Sequence, residues 1–132
     1  MIQVKLECPH CGKSMMDSEH KIEGYPSIKV TIVYENKCGW LRLSSLYGSA
    51  VIESEYPIPE QTLTRFFCPN CGTELIGNRV CDVCNAPMVP FKFTEGGIME
   101  VCARRGCKKH LAEFENLEAD LKAFYDAYSH FM

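Results

Sequence analysis

Eight of the nine cysteines in this chain stand in four short pairs: Cys8/Cys11, Cys68/Cys71, Cys81/Cys84 and Cys102/Cys107. The first three are C-x2-C and the last is C-x4-C. Four pairs of thiols are the ligand count of two complete tetrahedral sites, and a C-x2-C turn can place two sulfurs on one ion. Two of the pairs share one frame, Cys8-Pro9-His10-Cys11-Gly12 and Cys68-Pro69-Asn70-Cys71-Gly72. Proline fixes φ in such a turn, and glycine admits the positive φ that lets backbone amides face the sulfurs. The pattern predicts two Zn²⁺ per chain, with Cys8, Cys11, Cys68, Cys71, Cys81, Cys84, Cys102 and Cys107 as the metal ligands.

Other uses of the cysteines fit less well. A disulfide framework needs an oxidising compartment, yet Met1-Ile2-Gln3-Val4-Lys5-Leu6-Glu7 has no apolar export segment and no small-residue cleavage site. An iron–sulfur cluster satisfies the ligand count, but the spacings and the proline-glycine frames favour zinc or a single iron. No βαβ pattern surrounds any pair, which disfavours thioredoxin-like redox work. Two groupings of the pairs remain open. Cys8/Cys11 can join Cys68/Cys71, leaving Cys81/Cys84 with Cys102/Cys107. Alternatively, Cys68/Cys71 can join Cys81/Cys84 across the nine intervening residues. The first is favoured because a strand leads directly into the second pair of each proposed site.

Length and charge narrow the class. A chain of 132 residues makes one or two small domains, and metal sites suit β-modules whose separate cores would be thin. No apolar run approaches the roughly 20 residues of a membrane span, so a soluble, cytoplasmic protein is expected. The formal net charge is −3. Eight ionised thiols lower it further and two divalent ions return half of that, leaving about −7 in the loaded protein. Such a balance argues against wholesale binding to a phosphate backbone.

Along the chain, Leu6 to Ser14 form the first knuckle. Ile28, Val30 and Ile32 alternate with Lys29, Thr31 and Val33, which is strand period. Asn36-Lys37-Cys38-Gly39 reads as a turn and Trp40 to Leu43 as the returning strand. Val51 to Tyr56 is a further strand candidate, closed by Pro57 and Pro59, and Thr62 to Phe67 runs as a strand into the second knuckle. After Cys84 come a strand from Met88 to Phe93, a turn at Thr94-Glu95-Gly96-Gly97, and a strand from Ile98 into Cys102. A last strand is expected within Leu111 to Glu115. Beyond it, Asn116 is a plausible N-cap, and Leu117, Leu121, Phe124, Tyr128 and Phe131 recur at helical spacing. The fold class expected is a small mainly-β protein: two zinc-ribbon-like modules, a β-rich insert and a C-terminal α-helix. Its domains are a knuckle module with the insert over 1–77, a compact ribbon over 78–115, and an amphipathic helix over 116–132.

The order of knuckle, strand, glycine turn, strand and knuckle over Cys81 to His110 resembles a zinc ribbon. It is similar to the cysteine-rich repeats at the C-terminal end of bacterial type I topoisomerases. Those usually carry one more residue and aromatic or proline character between the last two cysteines, where this chain has Ala103-Arg104-Arg105-Gly106. A second resemblance rests on Arg65-Phe66-Phe67-Cys68-Pro69-Asn70-Cys71-Gly72-Thr73 and on the long β-rich stretch between an early and a late knuckle. In these respects the chain resembles the small γ subunit of ATP-dependent ketone carboxylases, the acetone and acetophenone enzymes. That resemblance implies a non-catalytic, zinc-stabilised subunit bracing larger ones, with ATP and substrate chemistry located elsewhere.

No catalytic constellation stands out. Four-cysteine zinc sites are coordinatively closed and offer no position at which to activate water. Asp17, Glu19 and His20 lie close enough in sequence for a metal, although solvated loop is the simpler reading. Ser44, Ser45 and Ser49 lack phosphate-loop spacing or an adjacent base. Cys38 reads as a small apolar residue near a strand turn; His110 could replace Cys107 as a ligand, but Cys107 is the one expected. Arg104, Arg105, Lys108 and Lys109 form a basic run suited to nucleic acid, to an acidic protein surface, or to solvent. The function expected is an accessory subunit, itself without enzymatic activity, whose partners are larger protein subunits. A nucleic-acid-binding zinc ribbon is the alternative.

Overall fold

In the computed structural model, residues 3–47, 49, 51–107 and 110–113 are described. Nine strands run in the order β1 (Leu6–Glu7), β2 (Met16–Ile22), β3 (Tyr25–Tyr34), β4 (Lys37–Leu43), β5 (Ile52–Ser54), β6 (Arg65–Phe67), β7 (Met88–Phe93), β8 (Ile98–Cys102) and β9 (His110–Glu113). Among the described residues there is no helix, and none of the described structure crosses a membrane as a long apolar helix. The helix expected over 116–132, with its stripe from Leu117 to Phe131, lies outside the described residues, as do Lys108 and Lys109.

Two antiparallel sheets form. One has the order β2-β3-β4-β5, with β6 also on β3; the other has the order β1-β7-β8-β9. β3 is the hub of the first because its length lets two partners share one edge. Its opening half pairs with β2, Ile28 lying opposite Met16, and its closing half pairs with β6, Ile32 lying opposite Phe66. The alternation read from the sequence explains the burial. Ile28, Val30 and Ile32 are buried, while Lys29 is exposed and Thr31 and Val33 are half-buried.

Two local readings change. The turn after β3 is tighter than the sequence suggested: Glu35 and Asn36 alone carry positive φ (46° and 67°), and β4 already begins at Lys37. Cys38 and Gly39 are therefore strand residues. The stretch around Asp17 to His20 is β2 and not loop. A register shift between Asp17 and Lys21 breaks its alternation, so its polar composition hides the strand period.

Leu6, Val89, Phe91, Phe93, Met99 and Val101 of the second sheet meet Ile28, Val30, Ile32, Leu41 and Phe66 of the first in one apolar cluster, together with Cys8 and Cys68. The pairing of β1 with β7, Leu6 opposite Phe93, joins the N-terminal knuckle to the strands that follow Cys84. One ligand candidate of each of the first two knuckles, Cys8 and Cys68, is thus anchored in that core.

Candidate metal centres

Leu6 to Met15 and Phe66 to Leu75 fold alike, hydrogen bond for hydrogen bond. The Gly12 amide donates to the Cys8 carbonyl (2.9 Å) and the Gly72 amide to the Cys68 carbonyl (3.0 Å). The amides of Cys8 and Cys68 donate to Lys13 and Thr73 (2.9 and 3.0 Å), and those of Met15 and Leu75 to Leu6 and Phe66 (3.0 and 2.8 Å). Gly12 and Gly72 hold φ of 75° and 73°, the left-handed backbone the frame called for. The amides of His10 and Asn70 each lie 3.3 Å from the sulfur of Cys8 or Cys68. Donors of this kind stabilise a thiolate.

These two knuckles face each other. Cys8 Sγ lies 3.8 Å from Cys71 Sγ, and Cys11 Sγ lies 3.8 Å from Cys68 Sγ. The second cluster joins Cys81 to Cys107 (3.8 Å) and Cys84 to Cys102 (3.3 Å). Within each group of four, all sulfurs lie within 4.8 Å of one another. Sulfurs about 2.3 Å from a central zinc would stand about 3.8 Å apart along each edge of the tetrahedron. A disulfide would need about 2.05 Å, and no described cysteine is in a disulfide. The donor set and its spacing therefore fit a divalent ion in each cluster. The grouping is the one in which Cys8/Cys11 joins Cys68/Cys71.

Local shape differs at the second centre. Asn85 takes the left-handed position (φ 64°) that glycine holds in the other knuckles, and its amide donates to the Cys81 carbonyl (2.9 Å). Asparagine tolerates this region better than other side chains. The Cys102–Cys107 loop turns at Gly106 (φ 91°), with the Cys107 amide donating to Arg104 (3.2 Å).

The thiols in each cluster are pushed in opposite directions. Burial pushes Cys8 up to about 12, and burial likewise pushes Cys102 well above the ordinary thiol range. The hydroxyl and amide of Thr73 hold Cys71 down at about 6. The Ala86 amide, followed by the Arg104 side chain, does the same for Cys84, again at about 6. Cys8, Cys68, Cys81 and Cys102 are buried, whereas Cys11 and Cys71 are exposed. Each centre thus has sulfurs on the core side and sulfurs on the solvent side.

The remaining candidates are placed elsewhere. Cys38 is exposed on β4, outside both clusters. Asp17, Glu19 and His20 do not converge: Asp17 Oδ1 accepts from the Glu19 amide (3.1 Å), Asp17 Oδ2 lies 3.4 Å from Arg42, and His20 meets Glu53 at 2.8 Å. His110 begins β9, and the second cluster is complete with Cys107. Arg104 and Arg105 turn inward: Arg104 Nη1 donates to the Gln61 carbonyl (2.8 Å) and Arg105 Nε to the Ile58 carbonyl (3.2 Å). Sequence reasoning missed the parts played by Asn85, Thr73 and the two arginines. Only Asn85 carried a signal, standing directly after Cys84 where a knuckle needs its left-handed residue.

Fold and centres together define a class: a small β-protein with two four-cysteine clusters, each capable of holding a metal ion. Comparison with known protein families, with curated proteins and with solved structures gave no match.

Proposed function

We propose that this chain is a two-zinc structural subunit that docks on larger protein subunits and performs no bond-changing chemistry of its own. The observation that carries the reading is the pair of four-sulfur clusters, the first at the margin of the main core and the second in a small cluster of its own with Ala86 and Met88. Zinc is the ion that such thiolate sets hold without redox change, and with four sulfurs it has no position left for substrate.

Docking is supported by apolar side chains left in solvent near the second and third knuckles. Leu63 and Ile76 line one groove with Pro87, Val80 is bridged to Pro87, and Val83 lies on the knuckle beyond, 71% exposed. The proposal assigns this groove and its neighbours to the contact surface, since grouped exposed apolar side chains are the kind a partner covers. The resemblance of Arg65–Thr73 to the γ subunits of ketone carboxylases supplies the finer proposal, an ATP-dependent carboxylase as the parent assembly. Nucleic-acid binding has less support, because Arg104 and Arg105 are engaged with the chain's own carbonyls.

Metal analysis of the purified chain should give two zinc ions. Cys38→Ser should leave that content unchanged, and Cys71→Ser should lose about one ion. A single ion in the unaltered chain, or iron–sulfur absorbance, overturns the two-zinc reading. Docking predicts a complex of fixed stoichiometry with larger subunits, weakened by Leu63→Asp/Ile76→Asp. If the variant co-purifies with those subunits unchanged, the surface is elsewhere.

A further inference from the structure

The segment from Ile58 to Thr64 connects the two centres. It is tied along its length to the Cys102–Cys107 loop. The Gln61 amide donates to the Arg105 carbonyl (2.9 Å), the Arg105 amide to Thr62 (2.9 Å), and the Thr64 amide to Ala103 (3.2 Å). Side chains add to the backbone ladder. Arg104 Nη1 donates to the Gln61 carbonyl at 2.8 Å and Arg105 Nε to the Ile58 carbonyl at 3.2 Å. Arg105 Nη1 also lies 3.6 Å from Glu60 Oε1, and Gly106 packs against the same carboxylate. One residue beyond Thr64 the chain becomes β6, which runs into Cys68 of the first centre.

The loop that provides these ties is itself set by its sulfurs. Within it the Arg104 amide donates to the Cys102 sulfur (3.5 Å) and the Cys107 amide to the Arg104 carbonyl (3.2 Å), so its shape depends on where Cys102 and Cys107 are anchored. The two centres also differ in the chain they must close. Cys84 and Cys102 are 18 positions apart, whereas Cys11 and Cys68 are 57 apart. Loop-closure entropy grows as three-halves of the logarithm of length, which favours the shorter closure by about sixfold.

We propose that the two centres load in order and are coupled. The second centre fills first, and its Cys102–Cys107 loop then holds Ile58–Phe67 where Cys68 and Cys71 meet Cys8 and Cys11. This rests on the reading of both clusters as zinc centres. Coupling of this kind is reciprocal, so a filled first centre tightens the second by the same factor.

The test uses the full chain and Zn²⁺. At one zinc per chain, brief labelling with N-ethylmaleimide and peptide mass mapping should mark Cys8, Cys11, Cys68 and Cys71 more heavily than Cys81, Cys84, Cys102 and Cys107. Competition with a chromophoric chelator should show Cys102→Ser/Cys107→Ser binding one zinc about tenfold more weakly than the first centre of the unaltered chain. Arg104→Ala/Arg105→Ala keeps every sulfur and guards against misfolding of the cysteine variant. It should still take two ions, with the coupling reduced and with faster hydrogen exchange at Gln61, Thr64 and position 105. Labelling that falls equally on both clusters, or first-centre affinity within about twofold of the unaltered chain in both variants, overturns the proposal. Two ions loading independently would likewise overturn it, whereas a chain that takes no zinc would defeat the metal reading beneath it.

Discussion

Gly72 and Gly39 are constrained for different reasons, and substitution separates them. At Gly72 an added Cβ meets nothing within 4 Å, so the cost of Gly72→Ala is the left-handed backbone alone. That cost is about 1 kcal/mol. At Gly39 φ is ordinary, but a Cβ would stand 2.8 Å from the Tyr56 ring and 2.9 Å from the Glu55 carboxylate. Gly39→Ala should therefore displace Tyr56 from Lys37, whose ammonium lies 5.4 Å from the ring centre. Asn85→Gly should be neutral or slightly stabilising, because it removes strain at φ 64°. Denaturant midpoints in excess zinc check all three; an unaffected Gly72→Ala would mean that the knuckle backbone is not left-handed there.

Protons are handled at the same scale. In the metal-free chain at neutral pH, Cys71 and Cys84, held at about 6, are thiolates, while Cys8, at about 12, and the raised Cys102 keep their protons. Zinc binding at pH 7 should release at least the protons of Cys8 and Cys102, and affinity should fall as pH falls. Calorimetric titration in two buffers of different ionisation enthalpy measures the release; zero would contradict the assignment. For the metal-free fold, the lowered Cys71 and Cys84 values contribute stability that is full above the ordinary thiol value of 9.0. It is lost as pH falls through about 6.

At the scale of elements, β3 carries more of the structure than any other strand, pairing with β2, β4 and β6. Its inward face was legible because three β-branched residues alternate with three outward ones. Ile32 is fully buried opposite Phe66, and Ile32→Ala should cost about 3 kcal/mol. Because Phe66 leads to Cys68, the same variant should also weaken zinc retention at the first centre. A loss of stability with unchanged zinc affinity would show that β6 is held independently of β3. β2 was not legible, since Asp17, Glu19, His20 and Lys21 bury little and the register shift breaks the period. The pairs that hold it, Asp17 with Arg42 and His20 with Glu53, join residues far apart in the chain.

Across the whole molecule, acidity and internal use of Arg104 and Arg105 weigh against nucleic acid as the partner in the proposed docking role. Oligonucleotide binding, if measurable at low salt, should fall steeply toward physiological salt. Tight binding that persists there and is lost in Arg104→Ala/Arg105→Ala would contradict the docking reading. The tertiary arrangement also makes the chain one cooperative object, because the apolar cluster takes residues from both sheets. Chelation should therefore loosen both sheets together in hydrogen exchange.

The eight paired cysteines, the proline-glycine frames and the alternation of β3 were readable from the sequence, because each is a local pattern whose chemistry depends on neighbours a few positions away. The grouping of four pairs into two centres was favoured by the strands that enter them, but spacing left a rival open. Tertiary structure placed Cys8 beside Cys71 and Cys11 beside Cys68, by pairing β1 with β7 and β6 with β3. It also turned Arg104 and Arg105 toward the chain's own carbonyls. Charge is visible in a sequence, whereas the partner that satisfies it is set by which backbone the fold brings within reach.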